Sequence, residues 1–301
     1  MRILTFLLFS ISSLLASQYN LKPIKISKEI YCFFGKPEEI NTHNNGNMVN
    51  SCFVDTGKSY IVIDSGSTYL YAKEATNIIQ SIKNIPIKNV IVTHAHDDHW
   101  LGNSYYRELG ADIIGSFTFD SVTITGDTRM KRLVSPEAYS GTYEFKPTKI
   151  INQNTDMQID GLEIKLQVNP NKAHSTGDIT VAIPAMGILF AGDLVFNDRI
   201  LSIRDGDINH WIKALEEIDS NRYQYIIGGH GKMYKNKSHK MTLQYLKDIQ
   251  KHTSSCISKN IDILECINSG DMEKYSHISL YKDLHKKNIE SIYRTMEWEN
   301  E

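Results

Sequence analysis

The residues best suited to chemistry cluster in one run, Thr93-His94-Ala-His96-Asp97-Asp98-His99-Trp100, directly after the apolar stretch Val90-Ile-Val92. On an extended strand residues two apart point to the same side, so His94 and His96 are expected to project together from the strand's end. Where the chain then turns toward a helix, Asp98 and His99 reach just beyond them. The result is two adjacent half-sites, His94/His96 and Asp98/His99. Their nitrogen and oxygen donors, without thiolate, suit zinc, with iron and manganese as alternatives. Three later turns add ligand types beside apolar strands: Ala173-His174-Ser-Thr-Gly-Asp178, Phe190-Ala-Gly-Asp193 and Ile227-Gly-Gly-His230-Gly. The five histidines and two aspartates so gathered are enough for two metal ions with positions left for water. The other histidines lack such a setting, and His43, in an early polar loop, is the one further candidate.

The elements that must position these residues are short apolar runs alternating with helical patterns. Strands are expected at Cys52-Phe-Val, Tyr60 to Asp64, Val90 to Thr93, Ile113-Ile-Gly, Leu162 to Val168, Ile179 to Ile183, Gly187 to Ala191 and Tyr225-Ile-Ile-Gly. Helices are expected over Ala72 to Ile82, Asn103 to Leu109, roughly Phe119 to Leu133, and His210 to Ile218 with Asp207 as N-cap. This alternation predicts an α/β sandwich. Beyond His239, apolar residues at helical spacing predict two or three amphipathic helices on its outside. The expected organisation is therefore a leader over 1–17, one domain over 18–240 and a helical extension over 241–301 packed on that domain. The segment from Asn41 to Asn50 is too polar and turn-prone for regular structure and is expected as a loop.

The leader has one charge at Arg2, an uncharged run from Ile3 to Ala16 and small residues before Gln18, the pattern of a secretory signal peptide. That run is shorter than the roughly 20 residues a spanning helix needs, so no stable membrane anchor is expected after cleavage. The protein is accordingly expected in the periplasm or outside the cell. With 33 Lys+Arg against 35 Asp+Glu, it offers no polyanion-binding surface, and nucleic acid is not an expected partner. Export permits disulfides. Cys32 and Cys52 lie in strand-like runs that can be neighbours, so a bridge between them is open. Cys256 and Cys266, ten positions apart in one helix-like stretch, would sit about 15 Å apart on a continuous helix and are expected as buried thiols.

His-x-His-x-Asp-His, followed by His in His-Ser-x-Gly-Asp, Asp in Gly-Asp and His in Gly-His-Gly, resembles the metallo-β-lactamase superfamily from about Val54 to Gly231. The resemblance implies an αββα four-layer sandwich with a dinuclear site at one edge of the sheets. It implies that His94, His96 and His174 bind one metal, that Asp98, His99 and His230 bind the other, and that Asp193 bridges them. Asp64, in Val-Ile-Asp-Ser-Gly, matches the family's early Asp-x-Gly turn, which supports the ligands from behind. Asp rather than Cys at 193 is similar to glyoxalase II-like thioesterases. The wider context, including Asn45-Gly46, Asn50 and Arg204-Asp-Gly-Asp-Ile-Asn-His-Trp211, resembles exported lactamase-like hydrolases linked to periplasmic sulfur-oxidation and quinoprotein systems. Partners in a periplasmic redox system are implied on that basis.

The function expected is an exported hydrolase with two Zn²⁺, acting through a metal-bridging hydroxide on a small ester, thioester or amide, β-lactams included. Asp98 is the expected catalytic residue, orienting the hydroxide and collecting its proton. Two readings compete with it: an iron-dependent enzyme of sulfur or persulfide oxidation, and a metal-stabilised, non-catalytic periplasmic binding module. Substrate contacts are expected from the Asn41 to Asn50 loop, with Asn45 and Asn50, and from the stretch carrying Arg129, Lys131, Arg132 and Tyr139.

Overall fold

The computed structural model describes residues 19–299, so the expected signal peptide lies outside the described residues. Seven strands form one sheet in sequence order: β1 (Ile24–Lys25), β2 (Ile30–Phe33), β3 (Ser51–Asp55), β4 (Tyr60–Ile63), β5 (Ile87–Ile91), β6 (Asp112–Ser116) and β7 (Lys149–Ile151). The second sheet runs β8 (Thr155–Ile159), β9 (Leu162–Val168), β10 (Ile179–Ile183), β11 (Ile188–Phe196) and β12 (Tyr225–His230), with neighbours paired in that order. Pairing is antiparallel from β1 to β4 and parallel from β4 to β7. In the second sheet only β11 and β12 run parallel.

The helices are α1 (Tyr69–Ile82), α2 (Asp97–Trp100), α3 (Asn103–Glu108), α4 (Thr118–Ser121), α5 (Arg129–Leu133), α6 (Pro136–Tyr139), α7 (Ile208–Ser220), α8 (Lys240–Ser258), α9 (Ile263–Asn268) and α10 (Tyr281–Glu299). Side-chain alternation assigns the layers. In β4, Ile61 and Ile63 face the second sheet and join Ile164, Leu166, Val181 and Phe190 between the sheets. Tyr60 and Val62 point the other way, onto Ala72, Ala75 and Ile79 of α1. On the far side Leu189 and Ala191 of β11 pack with Trp211 and Leu215 of α7, Leu246 and Ile249 of α8 and Ile292 of α10. Strands covered on both faces are apolar at successive positions, which is why β4 reads as an unbroken hydrophobic run and β10 is broken only at Thr180. The result is the αββα sandwich with added C-terminal helices.

Three expectations need correction. The stretch from Phe119 to Leu133 is not one helix: α4 stops at Ser121, the chain turns through Gly126 at φ +67°, and α5 restarts where the Thr128 side chain accepts from the Lys131 N–H. The half-exposed strands β7 and β8 carry too little apolar patterning to stand out in the sequence. Cys256 and Cys266 form a disulfide, with Cα atoms 5.8 Å apart. The helix they were expected to share ends at Ser258, Asn260 adopts φ +54°, and Asp262 caps α9, so the chain folds back on itself. Cys32 and Cys52 are directly opposite in the β2–β3 pair and are bridged.

His285 of α10 is buried in a directional network. Asn288 Nδ2 donates to the Tyr245 hydroxyl at 3.1 Å, that hydroxyl lies 3.0 Å from His285 Nδ1, and His285 Nε2 lies 2.8 Å from the Gly270 carbonyl. Burial lowers the His285 pKa, outweighing the Gly270 carbonyl. Below about pH 6.5 the unfolded chain therefore binds a proton that the folded one does not, so His285 costs stability as pH falls through that window and has no effect above it. Urea titrations at pH 7.5 and 5.5 are expected to show a smaller loss on acidification for His285→Gln than for the parent.

Candidate metal centre

Strand β5 ends at Ile91, so His94 and His96 leave from the loop beyond it rather than from the strand itself, and His96 is the N-cap residue of α2. The loop brings them together through different ring atoms. His94 Nε2 lies 3.0 Å from His96 Nδ1, which lies 3.0 Å from His174 Nε2. For comparison, a tetrahedral zinc with nitrogens at about 2.0–2.1 Å has ligand–ligand edges of about 3.3 Å. His174 comes from the turn before β10. There Asp178 accepts from the Ser175 N–H and hydroxyl, and burial pushes the Asp178 carboxyl up to about 7.

The second trio is Asp98 and His99 of α2 with His230 at the end of β12. Asp98 Oδ2 lies 3.8 Å from His99 Nε2 and 3.5 Å from His230 Nε2. Asp193 sits between the trios: Oδ2 is 3.7 Å from His94 Nε2, 3.4 Å from His174 Nε2 and 3.2 Å from His230 Nε2, while Oδ1 is 3.2 Å from His99 Nε2. Its aim depends on an irregularity in β11, where the β12 register shifts on both sides of Gly192. Gly192 adopts φ +51°, and a Cβ there would lie 2.7 Å from Thr93, so this bulge admits only glycine without displacement.

The groups behind the ligands set their orientation. Asp64, at φ +56°, accepts from the Thr93 N–H at 2.8 Å and the Thr93 hydroxyl at 2.9 Å, and its Oδ2 lies 2.9 Å from His99 Nδ1. His94 Nδ1 lies 3.1 Å from the Thr93 hydroxyl, and His230 Nδ1 donates to the Met48 carbonyl at 2.7 Å. In each case the nitrogen facing the cluster is left free to act as a lone-pair donor. Replacing Asp64 with Asn is expected to weaken metal binding about 10–100-fold, checked by competition with a chromogenic chelator.

Burial keeps His94 well on the neutral side, lowers His96 and brings His174 down to about 3. His99 is raised, because Asp193, Asp64 and Asp98 together outweigh its burial. Burial opposes ionisation of Asp98 and Asp193, but His99 and His230 outweigh it for both, with Arg129 adding to the effect at Asp98, so both carboxyls are held below the usual carboxylate range. His94, His96, His174 and both carboxylates are thus in the forms a metal ion requires, whereas His99 is held protonated by its three carboxylates and would release that proton on binding. The fit also shows in how two donors meet: His99 Nε2 and Asp193 Oδ1 are buried 3.2 Å apart as an ion pair that lacks hydrogen-bond geometry. A buried pair so aligned is poorly satisfied, and a cation would meet both atoms. Four donors (His94, His96, His174, Asp193) and three (Asp98, His99, His230) form two groups, each drawn within 4.8 Å. A third grouping among the described residues, His252 with Cys256 and Cys266, has its thiols closed by the disulfide.

The cluster opens onto a cleft of about 720 Å³. Arg129 lines it and binds Asp97 at 2.7 Å and Asp98 at 3.1 Å. Lys131 and Arg132 instead bond within their own loop, to Gly126 and Asp127. Tyr139 shares a hydrogen bond with Thr128. Neither Asn45 nor Asn50 lines the cleft. Asn45 Oδ1 accepts from the Ser135 N–H, and Asn50 Nδ2 donates to the carbonyls of Gly228 and Gly231, so these amides pin the loop to α6 and β12. His43 is exposed and also lies off the cleft. Residues the sequence reading missed are Glu39, Phe196, Arg199 and the inward face of α10, while Met48 lines the cleft from within the expected Asn41 to Asn50 loop. Phe196 stacks on His230, with centroids 5.0 Å apart and planes at 10°. Arg199 carries one sequence signal, an isolated cation before the apolar Ile200-Leu201. Nothing local announces that α10 reaches the site.

A two-sheet sandwich with clustered imidazoles and carboxylates at one edge defines a metal-dependent hydrolase binding divalent metal. The chain belongs to the metallo-beta-lactamase superfamily, whose family model matches residues 44–230. It is 26% identical over 197 residues to a metallo-beta-lactamase type 2 of Bacillus sp. (strain 170), covering 63% of this chain and 70% of that protein. A metallo-beta-lactamase type 2 of Bacillus cereus is 24% identical over 190 residues, covering 61% of this chain and 67% of the relative. Among solved structures, a metallo-beta-lactamase from Pontibacter korlensis superposes with a TM-score of 0.59 at 21% identity, over 75% of this chain and 99% of its own. One from Hirschia baltica gives 0.56 at 21% identity, over 74% and 96%. No helix among the described residues is long and apolar enough to cross a membrane.

Proposed function

We propose that the chain is an exported dinuclear zinc hydrolase of a small ester, thioester or amide. The supporting observation is the Asp193 carboxylate, whose Oδ2 lies 3.2–3.7 Å from His94, His174 and His230 and whose Oδ1 lies 3.2 Å from His99, so that it would be shared by ions held in the two trios. In this reading His94, His96 and His174 would hold one ion, and Asp98, His99 and His230 the other. Two such ions supply Lewis acidity and bring the pKa of bound water from about 15.7 toward about 7.

This chain's residues do the rest. Asp98, on the cleft wall and kept ionised by His99 and Arg129, orients the attacking water and takes its proton. Asp64 and the Met48 carbonyl fix the His99 and His230 rings. The narrower placement, in the periplasm beside a redox system, rests on the sequence resemblance. β-Lactams belong in the substrate screen because the relatives are named metallo-beta-lactamases.

The test is elemental analysis of mature protein, beginning near Gln18 and purified from a periplasmic fraction without added metal. About two zinc ions per chain are expected. About one iron per chain would replace this reading with sulfur oxidation, and a metal-free, stably folded protein would replace it with a binding module.

A further inference from the structure

Among the described residues one cluster of metal-ligand types lies away from the cleft: His252 and Cys256 of α8 with Cys266 of α9. Residues four apart on a helix share a face, so α8 presents His252 and Cys256 together. Asp262 caps α9 by accepting from the Leu264 and Glu265 N–H groups, and the chain that turns back there brings Cys266 to the same place. His252 Nε2 lies 3.7 Å from Cys256 Sγ and 3.6 Å from Cys266 Sγ. In a tetrahedral zinc site, with sulfur at about 2.3 Å and nitrogen at about 2.0–2.1 Å, the nitrogen–sulfur edge is about 3.6 Å and the sulfur–sulfur edge about 3.8 Å. Two of the three edges are therefore already in place, and the third is closed by the disulfide bond.

The surroundings leave room for an ion. A Cβ at Gly270 would lie 2.8 Å from His252 Nε2 and 3.2 Å from the Cys266 carbonyl oxygen, so glycine keeps the space beside that ring nitrogen open. His252 Nε2 now lies 2.8 Å from the Cys266 carbonyl, which also accepts from the Ser269 hydroxyl at 3.3 Å. The carbonyl thus keeps a partner when the nitrogen turns to a metal. Both cysteines are buried, whereas His252 is half-buried and gives water a route to a fourth position. Thiolates at the depth of Cys256 and Cys266 are costly unless a cation meets them.

We infer that the crosslink between α8 and α9 has two alternative forms. One is the disulfide, and the other, formed when the thiols are reduced, is a single zinc ion held by Cys256, Cys266 and His252 with water as the fourth ligand. Zinc binding releases the two thiol protons to solvent and leaves two thiolates and one neutral imidazole on the ion. Oxidation takes the other course: a disulfide oxidant receives two electrons and two protons and leaves as two thiols, while the Cys256–Cys266 bond forms. Either form ties the same two helices, so the extension is stapled whether or not its thiols have met an oxidising compartment. The site shares no residue with the cluster around Asp193 and does not depend on the hydrolase reading.

The test titrates Co²⁺ into the full chain kept reduced with a phosphine under anaerobic conditions, and into the same chain oxidised with oxidised glutathione. Cobalt stands in for zinc because thiolate ligands give it an intense near-ultraviolet charge-transfer band, and the donors around Asp193 include no thiolate. The reduced chain is expected to develop the band up to one cobalt per chain, zinc to bleach it, and the oxidised chain to show none. Reduction also frees Cys32 and Cys52, so variants assign the origin. Cys256→Ser combined with Cys266→Ser is expected to abolish the band. His252→Gln keeps both thiols and is expected to weaken cobalt binding about tenfold or more, because losing a ligand costs at least what losing its outer partner does. If the double variant does not fold, His252→Gln decides alone. The proposal is overturned by a reduced chain without the band, by one that circular dichroism shows unfolded even with cobalt present, by a band that survives in the double variant, or by unchanged affinity in His252→Gln.

Discussion

Asp98→Asn is expected to lower kcat by about 10²–10⁴-fold, the range for loss of a positioned proton acceptor. The substitution keeps the side chain's size, so the packing of α2 is undisturbed, but it removes the charge that answers His99, His230 and Arg129. An amide also cannot accept a proton from water at neutral pH. Because Arg129 is engaged by Asp97 as well, through Nε and a second nitrogen on the same oxygen, the guanidinium stays in place and the cleft keeps its shape. The expected pattern is therefore a collapse of kcat with far-UV circular dichroism close to the parent and a lowered urea midpoint, because His99, His230 and Arg129 lose a buried counter-charge. Steady-state kinetics on any ester the parent hydrolyses, with metal content measured on the same sample, will decide. Full turnover in a variant carrying its normal metal would remove Asp98 from the reaction.

Gly229→Ala carries the second large effect, and it acts without touching a ligand's chemistry. A Cβ at Gly229 would lie 1.9 Å from Asp193 Oδ1, with the Gly192 carbonyl carbon 3.0 Å away on the same side. Backbone on that side leaves the methyl no retreat, so the Asp193 carboxylate has to rotate out from between the two trios. Overpacking of this kind costs about 1–3 kcal/mol. The larger consequence is functional: the carboxylate facing four imidazoles is misdirected, and a ligand misplaced by about 1 Å can cost about 10²-fold. Metal content is expected to fall below that of the parent and activity by about 10²-fold or more, while the disulfides and the sandwich persist. Retention of full metal content and activity would show that Asp193 has room to move.

How much of the site was readable depended on the range of the contacts involved. His94, His96, Asp98 and His99 stand within six residues in one loop and turn, so local geometry alone brings them near each other. Asp193 and His230 each stand beside a glycine and His174 three residues before one, all next to an apolar strand, a visible signal of a side chain held at a sheet edge. Substrate contacts were less readable, because polar loop residues serve equally as recognition groups and as backbone anchors. Asn45 and Asn50 proved to be anchors, their amides used up on Ser135, Gly228 and Gly231. The second disulfide was misread for a related reason: helical spacing persists through Asn260 and Asp262, but the chain's direction does not.

By itself the sequence determined the class of fold, the type of ligand chemistry and the identity of most strands, since these follow from side-chain periodicity and from donor types placed beside turns. Tertiary structure alone decided which ring nitrogens face inward, which Asp193 oxygen meets which imidazole, and that α10 lines the cleft. Those facts rest on contacts across large separations, such as Asn50 with Gly231, Arg199 with Glu38 and Asn288 with Leu201. Such contacts leave no periodic trace in a single chain, because each satisfies one buried polar group at one place rather than a repeating face.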